Sequence, residues 1–425
     1  MTDAAPSRGA LAAAAPIVRS PIVLWAAFVL AHLWLGYLGF NAPNLPLGDV
    51  TLVYRVWVGN GMESGMWVGL DSPWVYPIVA LAPMVAAWLF GSELYTGTWL
   101  SLVMIVNAGA FAVLLAVGRE RRAAAAWWWI AFLVLLGPIA LGRIDSITVP
   151  LALVGMLLLA RVPRVATVLL TLAAWTKVWP AALVAAAVIV LRSRVAVLVT
   201  AAATTAGVVV VAILLGGGQH LLSFLTQQTG RGLQIESVIA TPWIWDTALH
   251  RPGGTSIYYD TGILTFQLNG PGVDTAAALA TPLVALAAAV LLLLGVRAVR
   301  LGREAVDLLP VLVLALTVAL ILFNKVGSPQ FVTWLAVPIC YGLVAARAGA
   351  GPSFRVPALL ALAIAPLTQL VYPFWYDDLL AATPAAVLVL TVRNALYVAL
   401  FVWSVVALVR LARRDGVSVR QEFAA

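Results

Sequence analysis

The chain runs apolar for long stretches, stops for a handful of polar residues, and runs apolar again. A helix that crosses a bilayer needs roughly 17–25 mainly apolar residues, because the hydrocarbon core offers backbone groups no water. Stretches of that kind fall at about 20–40, 97–117, 124–141, 147–160, 164–177, 178–191, 195–215, 276–296, 306–323, 329–346, 355–372 and 385–409, several of the middle ones being short. The pattern predicts an all-α polytopic membrane protein with about 12 transmembrane helices. One further stretch, 77–91 ("PIVALAPMVAAWLFG"), is short and holds two prolines.

Composition strengthens this reading. The chain is 63% hydrophobic and 10% charged, with a mean hydropathy of +1.02, whereas soluble domains carry roughly 25% charged residues. The net charge of +8 does not point to nucleic acid, because no basic run is long enough to form a binding face. The arginines sit in twos and threes between apolar stretches, as cytoplasmic anchors do. The single cysteine, Cys340, lies inside a predicted span and reads as a small buried hydrophobe, with no disulfide framework and no cysteine-based metal site. Near the N-terminus, which carries Arg8 and Arg19, the apolar run from Ile22 to Leu38 is longer than a signal-peptide core and reads as an uncleaved first span.

Charge bias orients the chain. If 77–91 spanned, the cluster Arg119, Arg121, Arg122 would fall outside, against the positive-inside rule. With 77–91 along the outer surface, both termini are cytoplasmic and most of the 25 Lys and Arg lie inside. Residues 1–425 then form one transmembrane domain with two large external segments, 41–96 and 216–275. These are too small to be catalytic domains, so any site is shared between loops and span ends. Few ionisable residues fall deep in a span, Arg393 being the partial exception. That argues against an ion-coupled transporter, whose coupling carboxylates are expected near the midplane.

The polar intervals hold the candidate chemistry. Asp49 follows Gly48 after the first span, with Tyr54 and Arg55 beyond it, and its plainer reading is a turn or helix cap. In "GRIDS" (142–146), Arg143 and Asp145 most simply form an exposed ion pair with each other. Lys177 stands between Trp175 and Trp179, where lysine snorkels to the interface. "TGRGLQIES" (229–237) gathers Arg231, Gln234 and Glu236 in a loop that has no need of them for packing. Lys325, in "NKVGSPQ", shares the expected outer face with Lys177, Arg143 and Arg231. The two lysines can converge on one anion, and Pro329 is suited to open the next helix beside it.

Seven motifs in order resemble membrane glycosyltransferases of the GT-C superfamily, most closely glycosyltransferase family 87. They are "GDVTLVY" (48–54), "VYP" (75–77), "GRIDS" (142–146), "LAAWTKVWPA" (172–181), "GRGLQIES" (230–237), "NKVGSPQFVTWL" (324–335) and "YPFWYDDLL" (372–380). The second motif departs from the family's frequent Tyr-Pro-Pro, having Tyr76-Pro77-Ile78. The resemblance implies many spans, an essential Asp in the loop after the first one, and juxtamembrane helices beside the site. It further implies an actinobacterial cell-envelope enzyme that takes mannose from a polyprenyl-phosphate donor, among membrane lipids, and delivers it to a hydroxyl of a lipid-linked glycan or lipoglycan outside the plasma membrane. His32, His220 and His250 match none of the motifs and are given no role.

In the implied inverting reaction the acceptor attacks the anomeric carbon opposite the phosphate, so a β-linked mannosyl donor yields an α-mannoside. Phosphate leaves without needing a proton, so one carboxylate base suffices, and Asp49 is the expected base. Lys325, Lys177, Arg143 and Arg231 are expected at the donor phosphate. Tyr54, Arg55, Asp145, Gln234, Glu236, Gln330 and Asp377 are expected at the sugar or acceptor. No cofactor, metal site or nucleotide-sugar site is expected. Two other readings stand beside this one: transfer of arabinose from the same class of donor, and a transporter or flippase of anionic lipid-linked substrates.

Overall fold

A computed structural model describes residues 18–117, 122–345 and 352–413. Arg8, Arg119 and Arg121, on which the expected orientation leans, lie outside the described residues, as does the C-terminal end. Helices occupy every predicted apolar stretch. Seven are long and apolar enough to cross a membrane: Pro21–Asn41, Tyr95–Val117, Arg194–Leu214, Val273–Arg300, Ala305–Leu322, Arg355–Phe374 and Pro384–Leu411. The Ala305–Leu322 helix is the axis of the bundle, 78% of its apolar window being buried, against 11% for Arg194–Leu214. Both are apolar on all sides because lipid tails are as apolar as a core, so composition does not distinguish a central helix from a lipid-facing one.

The middle helices are shorter than a bilayer. Ala181–Val190 has 10 residues, a rise of about 15 Å, half of the roughly 30 Å hydrocarbon thickness. Pro163–Thr176 ends at Lys177, whose backbone is extended, and the chain turns through 178–180 before Ala181. The predicted 124–141 span is also interrupted. Its helix ends at Leu136, and Gly137 (φ 80°) turns the chain into a 3-10 segment, Pro138–Ala140. Only glycine suits this corner, since an added Cβ would lie 2.5 Å from the Gln369 side chain. These breaks carry "GRIDS" and Lys177 into the bundle, where irregular backbone is tolerated as long as it is buried or lines a cavity.

Residues 77–91 fold as a 3-10 turn, Ile78–Ala80, and a six-residue helix, Leu81–Ala86. Six residues rise about 9 Å, far too little to cross. Met84 is fully buried, and its carbonyl accepts the Tyr95 hydroxyl at 3.0 Å.

The 216–275 segment contains short helices at Ser223–Thr229 and Thr241–Ala248 and, unlike the all-helical expectation, an antiparallel hairpin, Ser256–Asp260 with Thr265–Asn269. Gln234 extends the hairpin as a bridge to Gln267, with the Leu268 amide donating to the Leu233 carbonyl at 3.0 Å. Leu233, Ile235, Ile244, Leu268, Leu379 and Val387 close a second, smaller core beneath it. This core holds the 230s loop against the end of the bundle.

Candidate active site

Asp49 opens a π-helical turn, Asp49–Tyr54, that continues into the Arg55–Ser64 helix. A π turn sets residues five apart above one another, and the Tyr54 hydroxyl donates to Asp49 Oδ2 at 3.4 Å. Arg143 Nε meets the same oxygen at 3.2 Å. The Asp49 side chain nevertheless remains 32% exposed, so one face of the carboxylate stays open. Arg143 also donates to the carbonyls of Pro46 (2.8 Å) and Gly142 (2.9 Å) and to the Tyr372 hydroxyl (3.4 Å). Tyr372 in turn donates to the Asn44 carbonyl at 2.9 Å. Burial disfavours the guanidinium's charge, but Asp49 and Tyr372 outweigh it and hold its pKa above the ordinary value.

Asp145 and Arg143 are not paired with each other, contrary to the simplest expectation. Asp145 is the first residue of the Asp145–Leu158 helix and is 1% exposed. Its Oδ2 accepts from Lys177 Nζ at 2.6 Å and its Oδ1 from Trp334 Nε1 at 2.5 Å. The two charged residues of "GRIDS" point to opposite sides of the turn, each to a distant partner. The Lys177 ammonium also faces the rings of Phe331 (5.1 Å), Tyr76 (5.9 Å) and Trp334 (5.9 Å), an arrangement that favours a cation.

Lys177, Arg231 and Lys325 line one cavity of about 550 Å³ together with Gln330, Asn324 and Ser328. Its other walls are mainly apolar: Val178 from the turn after Lys177, and Ala181, Ala182 and Leu320 from helices of the bundle. Burial, followed by the charge of Arg231, pushes the Lys325 pKa down. Burial also lowers that of Arg231, opposed by Tyr76, Asp49 and Asp260. Arg231 Nε is buried with no hydrogen-bond partner among the described residues. Like charges gathered under partial desolvation attract an anion. Tyr76 connects this cavity to Asp49: it lines the cavity, and its hydroxyl lies 3.5 Å from that of Tyr54. Burial and the nearby Asp49 raise the pKa of both phenols, keeping them neutral.

Other predicted residues take different positions. Gln234 spans two loops: its side-chain Oε1 accepts from the Gly327 backbone N–H at 2.8 Å, and its backbone N–H donates to the Lys325 carbonyl at 3.0 Å. Gln330 is buried in the cavity wall. Arg55 is half-buried on the helix after Asp49 and Asp377 is exposed on the short Tyr376–Leu380 helix; neither lines the cavity. Tyr76, Trp334 and Tyr372 were not among the expected site residues. All three fall inside the motifs; Tyr76 and Tyr372 each precede a proline, and Trp334 carries no such local signal.

Glu236 lies outside the cavity lining, buried against Arg393 of the Pro384–Leu411 helix (3.8 Å) and near Tyr376. Its backbone carbonyl accepts from Arg393 Nη2, which also donates to Asn394. Burial outweighs Arg393 and Arg143 and pushes the carboxyl up to about 7 from an ordinary 4.5. Between those values the folded chain holds a proton that the unfolded chain has lost. The stability this contributes is complete below about 4.5 and disappears as pH rises through about 7. The melting temperature in detergent is therefore expected to drop between about pH 5 and pH 8, and Glu236→Gln to flatten the drop. Equal slopes in both proteins would show that Glu236 does not titrate there.

The sequence profile of glycosyltransferase family 87 matches residues 74–323, more than half of the 425-residue chain. The match takes in Tyr76, Arg143, Asp145, Lys177, Arg231 and Glu236; Asp49 precedes it and Lys325 follows it. No curated protein and no solved structure matches the chain. A helical bundle that encloses a polar site at the ends of half-length helices, together with this match, makes the chain a membrane glycosyltransferase belonging to glycosyltransferase family 87.

Proposed function

We propose that this glycosyltransferase moves a mannosyl group from a polyprenyl-phosphate donor to a hydroxyl of a lipid-linked glycan on the outer face of the plasma membrane, with inversion. The observation that carries the proposal is the cavity that Tyr76 and Tyr54 connect to Asp49, its lining divided between cationic and apolar side chains. A lipid phosphodiester has that same division. Its phosphate would meet Lys177, Arg231 and Lys325, and its prenyl chain would follow Val178, Ala181, Ala182 and Leu320 into the bundle. The choice of mannose rests on the family resemblance of the motifs.

Asp49 is the base in this reading. Its open face would accept the proton of the acceptor hydroxyl as the oxygen bonds to the anomeric carbon and the bond to phosphate breaks. Charge then grows on the departing phosphate, where preorganised cations act most strongly. Arg143 and Tyr54 hold Asp49 in place. Membership in a transferase family sets the transporter reading aside.

The test is transfer of radiolabel from polyprenyl-phosphate mannose to an actinobacterial membrane-lipid extract by purified protein. A labelled lipid that α-mannosidase cleaves supports donor, sugar and inversion together. Label transferred only from polyprenyl-phosphate arabinose would keep the donor class and replace the sugar. No transfer from either donor by folded protein would remove the polyprenyl-phosphate reading.

A further inference from the structure

Resting on that reading, we propose that the 142–146 turn is a two-sided positioning element, with Arg143 fixing the base Asp49 on one side and Asp145 fixing the Lys177 ammonium at the cavity on the other. Asp145 is then a positioning residue for the leaving-group cation and not a sugar contact. Its carboxylate is 1% exposed and both oxygens are taken, one by Lys177 and one by Trp334. No face of it is open to a sugar.

Lys177 without such an anchor would end in a flexible four-carbon stem. Here its ammonium is drawn to a carboxylate that cannot itself move. Trp334, the donor to Oδ1, stacks on Trp179 (5.3 Å, 11°) and on Phe331 (4.3 Å, 25°). Trp179 is tied back by its indole N–H to Thr148 Oγ1 at 3.1 Å, on the helix that Asp145 begins. Buried ion pairs contribute little net stability compared with apolar residues of similar shape. One retained beside a cationic cavity is better explained by the position it gives the lysine, which still lines that cavity.

The turn itself is held on every side. The Leu141 carbonyl accepts from Trp99 Nε1 at 2.9 Å, and the Ile144 amide donates to the Tyr54 hydroxyl at 3.2 Å. Ser146 Oγ donates to the Arg143 carbonyl at 2.6 Å. A Cβ on Gly142 would lie 2.5 Å from the Pro46 carbonyl oxygen, so the turn sits directly on the loop leading to Asp49. The distance between base and leaving-group cation is thereby set by one short, rigid piece of backbone, as near-attack geometry requires.

The probe is undecaprenyl phosphate, titrated against the full-length protein in detergent. Asp145→Asn and Lys177→Met are each expected to weaken binding about tenfold, the scale of a hydrogen bond to a charged group. The double variant should bind no worse than Lys177→Met alone, because Asp145 acts through that lysine. Asp145→Asn binding as wild type does, or a double variant weakened by the product of the two single effects, overturns the inference while leaving the donor reading intact. Wild-type protein that does not bind the probe overturns the donor reading itself. If Asp145→Asn does not fold, Trp334→Phe carries the test: it keeps the ring stack and removes only the anchor to Oδ1. Lowered affinity is then expected, and unchanged affinity overturns the inference.

Discussion

Asp49→Asn is expected to lower the rate of sugar transfer by about 10²–10⁴-fold, the usual contribution of a positioned general base, with little change in affinity for undecaprenyl phosphate. The melting temperature should fall, because Arg143 loses the charge that offsets its burial. The asparagine has the same shape, and its amide oxygen can still accept from Arg143 Nε and the Tyr54 hydroxyl. Arg143 also keeps the Pro46, Gly142 and Tyr372 contacts that fold the loop. What is lost is the capacity to take a proton from the acceptor. Initial rates with radiolabelled donor, beside melting curves and the binding titration, separate the chemical step from folding and donor capture. A variant that keeps more than about a tenth of the rate would take Asp49 out of the proton transfer. A variant that loses affinity in parallel with rate would instead assign Asp49 to binding.

The spans were legible because lipid imposes a length and an apolar composition that the sequence cannot hide. The Pro21–Asn41 and Tyr95–Val117 helices lie within a few residues of their predicted places. Where the sequence misled, backbone chemistry explains it. The stretch 124–141 is apolar throughout, yet positive φ at Gly137 and the following Pro138 end the helix early. The hairpin carries its own signal in "SIYYDTGILTFQLN". Aromatic and β-branched residues flank a turn in which Asp260 Oδ1 accepts from the Gly262 amide at 2.9 Å. A reading that looked for spans passed over it.

Asp49, Arg143, Asp145 and Lys177 were each legible as polar residues in motifs; how they pair was not. Arg143 and Asp145 are two apart in sequence, which suggested that they pair with each other. A helix start between them turns one toward Asp49 and the other toward Lys177. Those partners come from loops that only the packed bundle brings together, so no local pattern encodes them. Gln234 is a similar case: its polarity marked it as a substrate contact, and its geometry uses it to join two loops.

That junction leads to the second large expected effect. Gly327→Ala should lower kcat/KM by about 10²-fold, the scale of a misplacement near 1 Å, chiefly through the KM for donor. The Lys325 loop lies directly on the backbone of the 230s loop. A Cβ on Gly327 would stand 2.1 Å from the Ser237 amide nitrogen and 2.3 Å from the Glu236 carbonyl carbon. These are backbone atoms, with no side chain to swing aside, so the Lys325 loop must lift. Lifting it breaks the Gly327 N–H bond to Gln234 Oε1 and strains the bond from the Gln234 backbone N–H to the Lys325 carbonyl. The cavity would lose the fixed place of one of its lysines, while the flanking helix Ala305–Leu322 keeps its own core contacts. Gly230→Ala is the matched control, because a Cβ there meets nothing within 4 Å, and it should leave both donor KM and rate unchanged. Equal donor KM in the Gly327 and Gly230 variants would show that the position of Lys325 does not govern donor binding. A raised KM confined to Gly327→Ala would mean that the lysine between the two apolar helices is held there for the phosphate.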